Sequence, residues 1–246
     1  MPHQLSSADL DLLRAFDTPT VCNVIELFRV RPQTAGYMDK RIRAAYPDLP
    51  PMVGYASTAT FRSSAPRPNE GSYASIYDQV ARFAELPQPT VVAFQDLDDP
   101  PVAATFGEVM TTTYKKFGAA GLITSGAGRD YEQVARLDFP CFCDGWIASH
   151  GYPLILDVHV PVRIGGIVVH PGDLLHGDAN GVTTMPIEIA SEVAGACREY
   201  VDCEDAVLGY LKTESVDLRG FAAARHEMEA RIKALGEKLR SGRTGA

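Results

Sequence analysis

No apolar run in this chain approaches the roughly 20 residues that a membrane-spanning helix needs. The first residues, MPHQLSSADLDLL, hold no basic segment ahead of an apolar core, so they do not resemble a secretory signal. The expectation is a soluble, cytoplasmic protein with no membrane partner. An excess of positive charge is missing too: 23 Lys and Arg face 31 Asp and Glu, a formal net charge of −8. Neutralising phosphates is what drives nucleic-acid binding, so no nucleic-acid partner is expected. An acidic chain binds an anion only where arginine, backbone amides or a metal reverse the field locally. Cysteine is sparse and odd in number (Cys22, Cys141, Cys143, Cys197 and Cys203), which fits free thiols in a reducing compartment. Cys141 and Cys143 are two apart and share one face of a strand, a poor spacing for zinc without a second pair. There is no GxSxG, no Walker sequence, no paired CxxC and no HExxH. Nucleophilic serine and P-loop chemistry therefore have no support.

What is present is enough for a sizeable core. The chain has 246 residues, 46% apolar and 22% charged, the balance of a folded domain and not of a disordered segment. Ser6 and Ser7 precede a helix ending near Phe16, and Thr18-Pro19-Thr20 opens a second, with Val21, Ile25 and Phe28 at helical spacing. Residues 52–62 alternate as a strand, 63–71 form a loop, and a helix runs from Ser72 to Leu86. From 90 to 143 the pattern alternates strand and helix twice: strands at 90–96, 119–124 and 139–143, helices over 108–117 and 131–137. That alternation predicts parallel strand pairs covered by helices. Turn signals at Gly165-Gly166, Pro171-Gly172 and Asn180-Gly181 predict three strands in hairpins within 158–185. Helices follow at 187–210 and 219–240; Phe221, Met228, Ile232 and Leu235 form an apolar stripe on the second.

Two helix starts hold the candidate chemistry. Arg129 and Asp130 follow a strand and the glycines Gly126 and Gly128, which let a ligand approach the backbone. Gly107-Glu108-Val109-Met110 leads into a second helix, whose free amides suit a carboxylate or phosphate. Read from the residues alone, Asp130 and Glu108 serve equally well as ordinary helix-start carboxylates favoured by the dipole. Asp173 and Asp178 read as turn residues, and His150, His159, His170 and His176 as structural or surface histidines.

The run GEVMTTTYKKFGAAGLITSGAGRDYEQVARLDFPCFCDG at 107–145 resembles the core of the RraA-like family, and VPVRIGGIVVHPGDLLHGDANGVTTMP at 160–186 continues the likeness. That family includes 4-hydroxy-4-methyl-2-oxoglutarate aldolases, which also decarboxylate oxaloacetate, and ribonuclease-binding regulators without enzyme activity. The resemblance implies an α/β fold, a swivelling β/β/α-type core of stacked sheets flanked by helices. It divides the chain into a catalytic domain at 1–186 and a helical extension at 187–246, in a homotrimer or homohexamer. It also implies a metal-dependent lyase acting on a small anionic 2-oxo acid, with a related lyase or hydratase on another oxo acid as the alternative enzyme. Carried over by position, Asp130 holds Mg2+ or Mn2+ and Arg129 contacts the keto oxygen. The segment from Gly107 then binds substrate, the amides of Val109 and Met110 taking its carboxylate, while Glu108 holds a water of the metal shell. The regulators lack the acid after the arginine, so the presence of Asp130 favours the enzyme over the regulator. Ser125 stands where the family commonly has Asp. Glu204 or Asp205 is the candidate acid for completing a neighbouring subunit's metal shell.

Overall fold

A computed structural model describes residues 4–67 and 74–242. The chain opens with helices α1 (Ser7–Arg14) and α2 (Thr18–Phe28), then β1 (Arg43–Ala44) and β2 (Met52–Arg62). Helix α3 (Ile76–Ala81), β3 (Thr90–Asp96), β4 (Ala104–Phe106), α4 (Glu108–Lys116), β5 (Gly121–Thr124), β6 (Ala127–Gly128), α5 (Tyr131–Ala135) and β7 (Cys141–Cys143) follow. The last third holds β8 (Leu154–Val158), β9 (Val162–Ile164), β10 (Ile167–Val169), β11 (Leu174–Asp178), β12 (Gly181–Met185), α6 (Ala190–Leu211) and α7 (Leu218–Ser241).

Local chemistry explains the first boundaries. The Ser6 side chain accepts from the Asp9 amide at the start of α1, and Asp17 accepts from Thr20 at the start of α2, with Pro19 in its first turn. The predicted loop at 63–71 and the predicted helix start at Ser72 lie partly outside the described residues. Within them the helix begins at Ile76, where Ser75 and Asp78 satisfy each other's amides as a capping box.

Eight strands form one sheet in the order β1-β7-β5-β3-β2-β11-β12, with β8 also on β2. The pairs β2–β3, β3–β5 and β5–β7 are parallel, as the alternation of strand and helix predicts. β2 has 11 residues and serves two antiparallel neighbours on the edge away from β3. β11 pairs with Met52–Tyr55 and β8 with Ala59–Arg62, across an irregularity in register between Ala59 and Phe61. The region expected to hold three strands holds four complete ones, in two hairpins. Gly172, at φ +84°, turns the chain between β10 and β11 at the expected Pro171-Gly172 turn, so the three turns separate four strands.

Successive residues of β3 supply opposite faces of the sheet. Val92 and Phe94 pack with Phe61, Tyr114, Leu122 and Val134 on one face. Val91 and Ala93 pack with Ile123, Phe142, Val162 and Ile164 on the other. Cys141 and Cys143 share the first face, buried as apolar thiols. A third core joins α1, α2 and α6 to Val53 and Tyr55 of β2. Leu235 of α7 is buried in that core and Ile232 packs against it, so part of the α7 stripe covers this chain's own helices. Among the described residues, no helix is long and apolar enough to cross a membrane.

Candidate active site

β4 and β6 are too short to show a periodicity, and both fall in stretches that read as loop. They pair in parallel, Ala104 beside Ala127 and Phe106 beside Gly128. That pairing brings the ends of two separate strand-to-helix turns side by side. Gly107 follows β4 and caps α4, while Arg129 and Asp130 follow β6 and open α5. The Arg129 amide donates to the Phe106 carbonyl at 3.0 Å, which locks the two turns together. A Cβ at 107 would lie 2.5 Å from Asp130 Oδ2 and 3.0 Å from Arg129 Cγ, so any other residue there would displace these two side chains.

The first amides of a helix have no partner within it. The Glu108 amide donates to Asp130 Oδ2 at 3.0 Å, so Asp130 caps α4 from a different segment of the chain. The amides of Val109 and Met110 follow in the same turn, and α4 has no side-chain cap from Gly107. Arg129 Nε lies 3.7 Å from the same Oδ2. Both contacts of the Asp130 carboxylate among the described residues therefore fall on one oxygen, leaving Oδ1 without a partner among them. The Arg129 and Asp130 side chains are 35% and 32% exposed, accessible to a ligand but partly shielded from solvent. Asp130 adopts φ 60° and ψ 47°, a left-handed conformation rare outside glycine, asparagine and aspartate. Such strain, about 1–3 kcal/mol, persists only where the surroundings impose it.

An aromatic group beside the turn supplies that constraint. Trp146 meets Tyr131 edge-on at 4.8 Å between ring centroids, and Tyr46 at 6.0 Å. The Tyr46 hydroxyl donates to the Tyr131 carbonyl at 2.6 Å, and burial pushes the Tyr46 phenol's pKa upward. Gly128 is pressed between Phe106 and Trp146, since a Cβ would lie 2.5 Å and 2.8 Å from their rings. Nothing in the spacing of these aromatics along the chain links them, because Tyr46, Phe106, Tyr131 and Trp146 come from separate segments, among them the end of β4 and the start of α5.

A cavity of about 300 Å³ opens on this turn. Gly107, Val109, Met110 and Arg129 form one part of its lining; Phe61, Ile76, Phe106, Pro153 and Ile155 give it apolar walls. Arg67 and His150 also line it, and among the described residues no Asp or Glu does, so the described lining holds positive side chains of the kind an acidic chain needs to bind an anion. Glu108 and Asp130 belong to the adjoining helix starts and not to the lining. The sequence offered no sign that His150 would face this space.

Beneath the cavity lies Asp96, 6% exposed, at the end of β3. Its carboxylate accepts from the Asp98 amide at 3.0 Å and from Thr105 Oγ1 at 3.2 Å, and burial pushes its pKa up to about 6. Ser125 Oγ accepts from the Asp96 amide at 2.9 Å. An aspartate at 125 would bring a second carboxylate against this buried acid, which gives the serine there a physical reason.

The other sequence candidates are elsewhere. Glu204 and Asp205 are on α6, and neither lines the cavity. Asp173 accepts from the His170 amide at 2.8 Å in the expected turn. Asp178 does more than turn the chain: it is 8% exposed and accepts from the Thr18 amide at the start of α2. His176 is fully buried, with both ring nitrogens in hydrogen bonds, to Thr18 and to the Leu13 carbonyl.

Among the described residues no three His, Cys, Asp or Glu side chains gather into a protein-built metal cage. One half-exposed carboxylate with an uncommitted oxygen fits a different kind of ion. Mg2+, and Mn2+ with it, takes hard oxygen ligands, keeps several waters and binds through one or two carboxylates. Asp130 Oδ1 is the atom that would hold such an ion.

Comparison with known proteins bears on the same region. The sequence profile of the RraA-like family, described as Aldolase/RraA, matches residues 18–184. A Halalkalibacterium halodurans protein, provisionally named a 4-hydroxy-4-methyl-2-oxoglutarate aldolase, is 40% identical over 84 residues, 34% of this chain and 40% of that one. An Ectopseudomonas mendocina protein with the same provisional name is 32% identical over 87 residues, 34% of this chain and 52% of that one. The matched stretches thus span about half or less of those relatives. Two solved structures share the fold. An uncharacterized Pseudomonas syringae protein superposes with a TM-score of 0.70 at 21% identity, covering 91% of this chain and 95% of that one. A Streptomyces coelicolor protein, described as an unusual member of the RNase ES inhibitor RraA family, has a TM-score of 0.66 at 22% identity, covering 85% and 100%. With the profile running from α2 into β12, over more than half of its length, and with the fold of those structures, this chain belongs to the RraA-like family.

Proposed function

We propose that this protein is a divalent-metal-dependent lyase. It cleaves a 4-hydroxy-2-oxo acid to pyruvate and a second oxo acid, and decarboxylates oxaloacetate by the same route. One observation carries the reading: Arg129, the α4 amides and an oxygen of Asp130 without a partner among the described residues converge at the mouth of a cavity whose described lining holds no Asp or Glu. Both reactions break a carbon–carbon bond next to a keto group and leave the enolate of pyruvate. Fixed positive charge at that developing oxyanion lowers the barrier.

In this reading the amides of Val109 and Met110 receive the substrate carboxylate at the positive end of the α4 dipole. Arg129 donates to the keto oxygen and follows it as charge develops there. Asp130 Oδ1 holds Mg2+ or Mn2+, which when bound adds Lewis-acid charge at the same oxygen. Glu108 orients water at the helix start. The apolar walls exclude bulk water and strengthen these charges. The reading also takes further copies of this chain as partners, in a trimer or hexamer, with Glu204 or Asp205 serving a neighbouring copy. The ribonuclease-regulator reading has no use for the acid after Arg129.

The test follows pyruvate release from 4-hydroxy-4-methyl-2-oxoglutarate and loss of oxaloacetate, with Mg2+ or Mn2+ and then with EDTA. Turnover of at least one substrate that EDTA abolishes and metal restores is the expected result. No turnover of either, or turnover indifferent to EDTA, would end the reading while leaving the fold untouched.

A further inference from the structure

We infer that His150 is the catalytic base that removes the proton of the substrate's C4 hydroxyl during carbon–carbon cleavage; the inference rests on the lyase reading above. Three observations lead to it. His150 lines the same cavity as Arg129 and Gly107. Nδ1 is 2.8 Å from the Gly151 carbonyl, which can only accept, so Nδ1 carries a proton, and in the neutral ring the lone pair is on Nε2. No hydrogen bond among the described residues engages Nε2.

The loop that carries it is held on both sides. Before His150, the Ser149 carbonyl accepts from the Ala104 amide at 2.7 Å, tying the loop to β4. After it, the Tyr152 amide donates to the Ser63 carbonyl at 2.9 Å. Gly151 turns between them at φ +52°, and a Cβ there would lie 2.6 Å from the Ser63 carbonyl oxygen. A ring so placed, with one nitrogen anchored and the other holding a lone pair, is built to accept a proton and to return it.

Elimination points the same way. Among the described residues, the charged side chains of the lining are Arg67 and Arg129, and a guanidinium does not give up its proton in proteins. Asp130 takes the Glu108 amide on Oδ2 and is assigned the metal on Oδ1, and Asp96 lies under the floor against Thr105. Among the described lining residues, which also include the weakly basic hydroxyls of Ser75 and Thr105, His150 is the side chain able to take up a proton.

The step balances without any co-reactant. Nε2 takes the C4 hydroxyl proton, and the O–H electron pair forms the new carbonyl at C4. The C3–C4 bond breaks, and its pair moves into C2–C3, placing negative charge on the C2 oxygen near Arg129. The imidazolium then gives its proton to C3, which yields pyruvate and restores neutral His150. Oxaloacetate has no C4 hydroxyl: it loses CO2 from C4 and reaches the same enolate without a base.

That contrast supplies the experiment. In Mg2+-containing buffer, His150→Gln is expected to lower kcat for cleavage of 4-hydroxy-4-methyl-2-oxoglutarate by about 10²- to 10⁴-fold, the range for losing a general base. Oxaloacetate decarboxylation by the same preparation stays within about threefold of wild type. His150→Ala behaves alike, and added imidazole restores cleavage but leaves decarboxylation unchanged. A parallel fall in both reactions, or unimpaired cleavage in both variants, would overturn the assignment. Should the unaltered protein turn over neither substrate, the lyase reading fails first and this inference with it, a result distinct from any seen only in the variants.

Discussion

Two carboxylates in this molecule do the same local job with opposite consequences. Asp178 accepts the Thr18 amide at the start of α2 at 2.8 Å, and Asp130 accepts the Glu108 amide at the start of α4 at 3.0 Å. Asp178 is buried and saturated, since Asn180 also donates to it from its amide and its side chain. Asp130 is a third exposed, engages one oxygen, and holds a strained backbone. The histidines repeat the contrast. His176 spends both nitrogens on Thr18 and Leu13, whereas His150 spends one on Gly151. A polar group whose valences are all met inside the fold stabilises it; one left partly unmet at a cavity is available for chemistry.

The sharpest way to break this comparison is Asp130→Asn. Asparagine tolerates the left-handed backbone and keeps an oxygen for the Glu108 amide, so only the charge is lost. Turnover is expected to fall about 10³-fold or more, with thermal unfolding shifted by no more than about 3 °C. Retention of a tenth of the wild-type rate would remove Asp130 from the site.

Asp178→Ala should give the reverse. It leaves the buried Thr18 amide unpaired, at roughly 1–3 kcal/mol, and removes the turn bonds from Asn180. The expected loss is about 2–4 kcal/mol in urea unfolding, with kcat per folded molecule unchanged. An unaltered midpoint would mean that the α2 cap is replaceable by water.

Asp96→Asn sharpens the comparison with the smallest effect. The folded pKa of Asp96 is pushed up to about 6, against about 3.9 for an unfolded aspartate. Between those values the folded state holds a proton that the unfolded state has lost. This group's contribution therefore declines as pH rises through that window. The asparagine variant escapes the decline, so its stability relative to wild type should improve between pH 4 and pH 6, by roughly 1–3 kcal/mol in all. Urea unfolding at pH 4.5 and pH 7 measures it; an equal difference at both would show that Asp96 does not titrate there.

Periodicity made the long elements legible. α2, β2, β3, α4 and α7 follow from apolar spacing and from capping residues such as Ser6, and the parallel core follows from the alternation over 90–143. The glycines around GE and GRD marked where a ligand might approach a backbone, and their order marked the family. Periodicity fails over two or three residues, so β4 and β6 read as loop, although their pairing joins Gly107 to Asp130. His150 carried no signal, because an isolated histidine looks the same in sequence whether it is packed like His176 or faces a cavity.

Sequence by itself determined which residues can carry charge, accept a proton or turn the backbone, and it settled the class of fold, because those properties reside in single residues and short repeats. Tertiary structure decided which of them meet. Asp130 caps a helix that begins 22 residues earlier in the chain, and His150 reaches the cavity through a loop tied to β4. Both depend on strand pairing between distant segments, which the sheet as a whole imposes and no local pattern encodes.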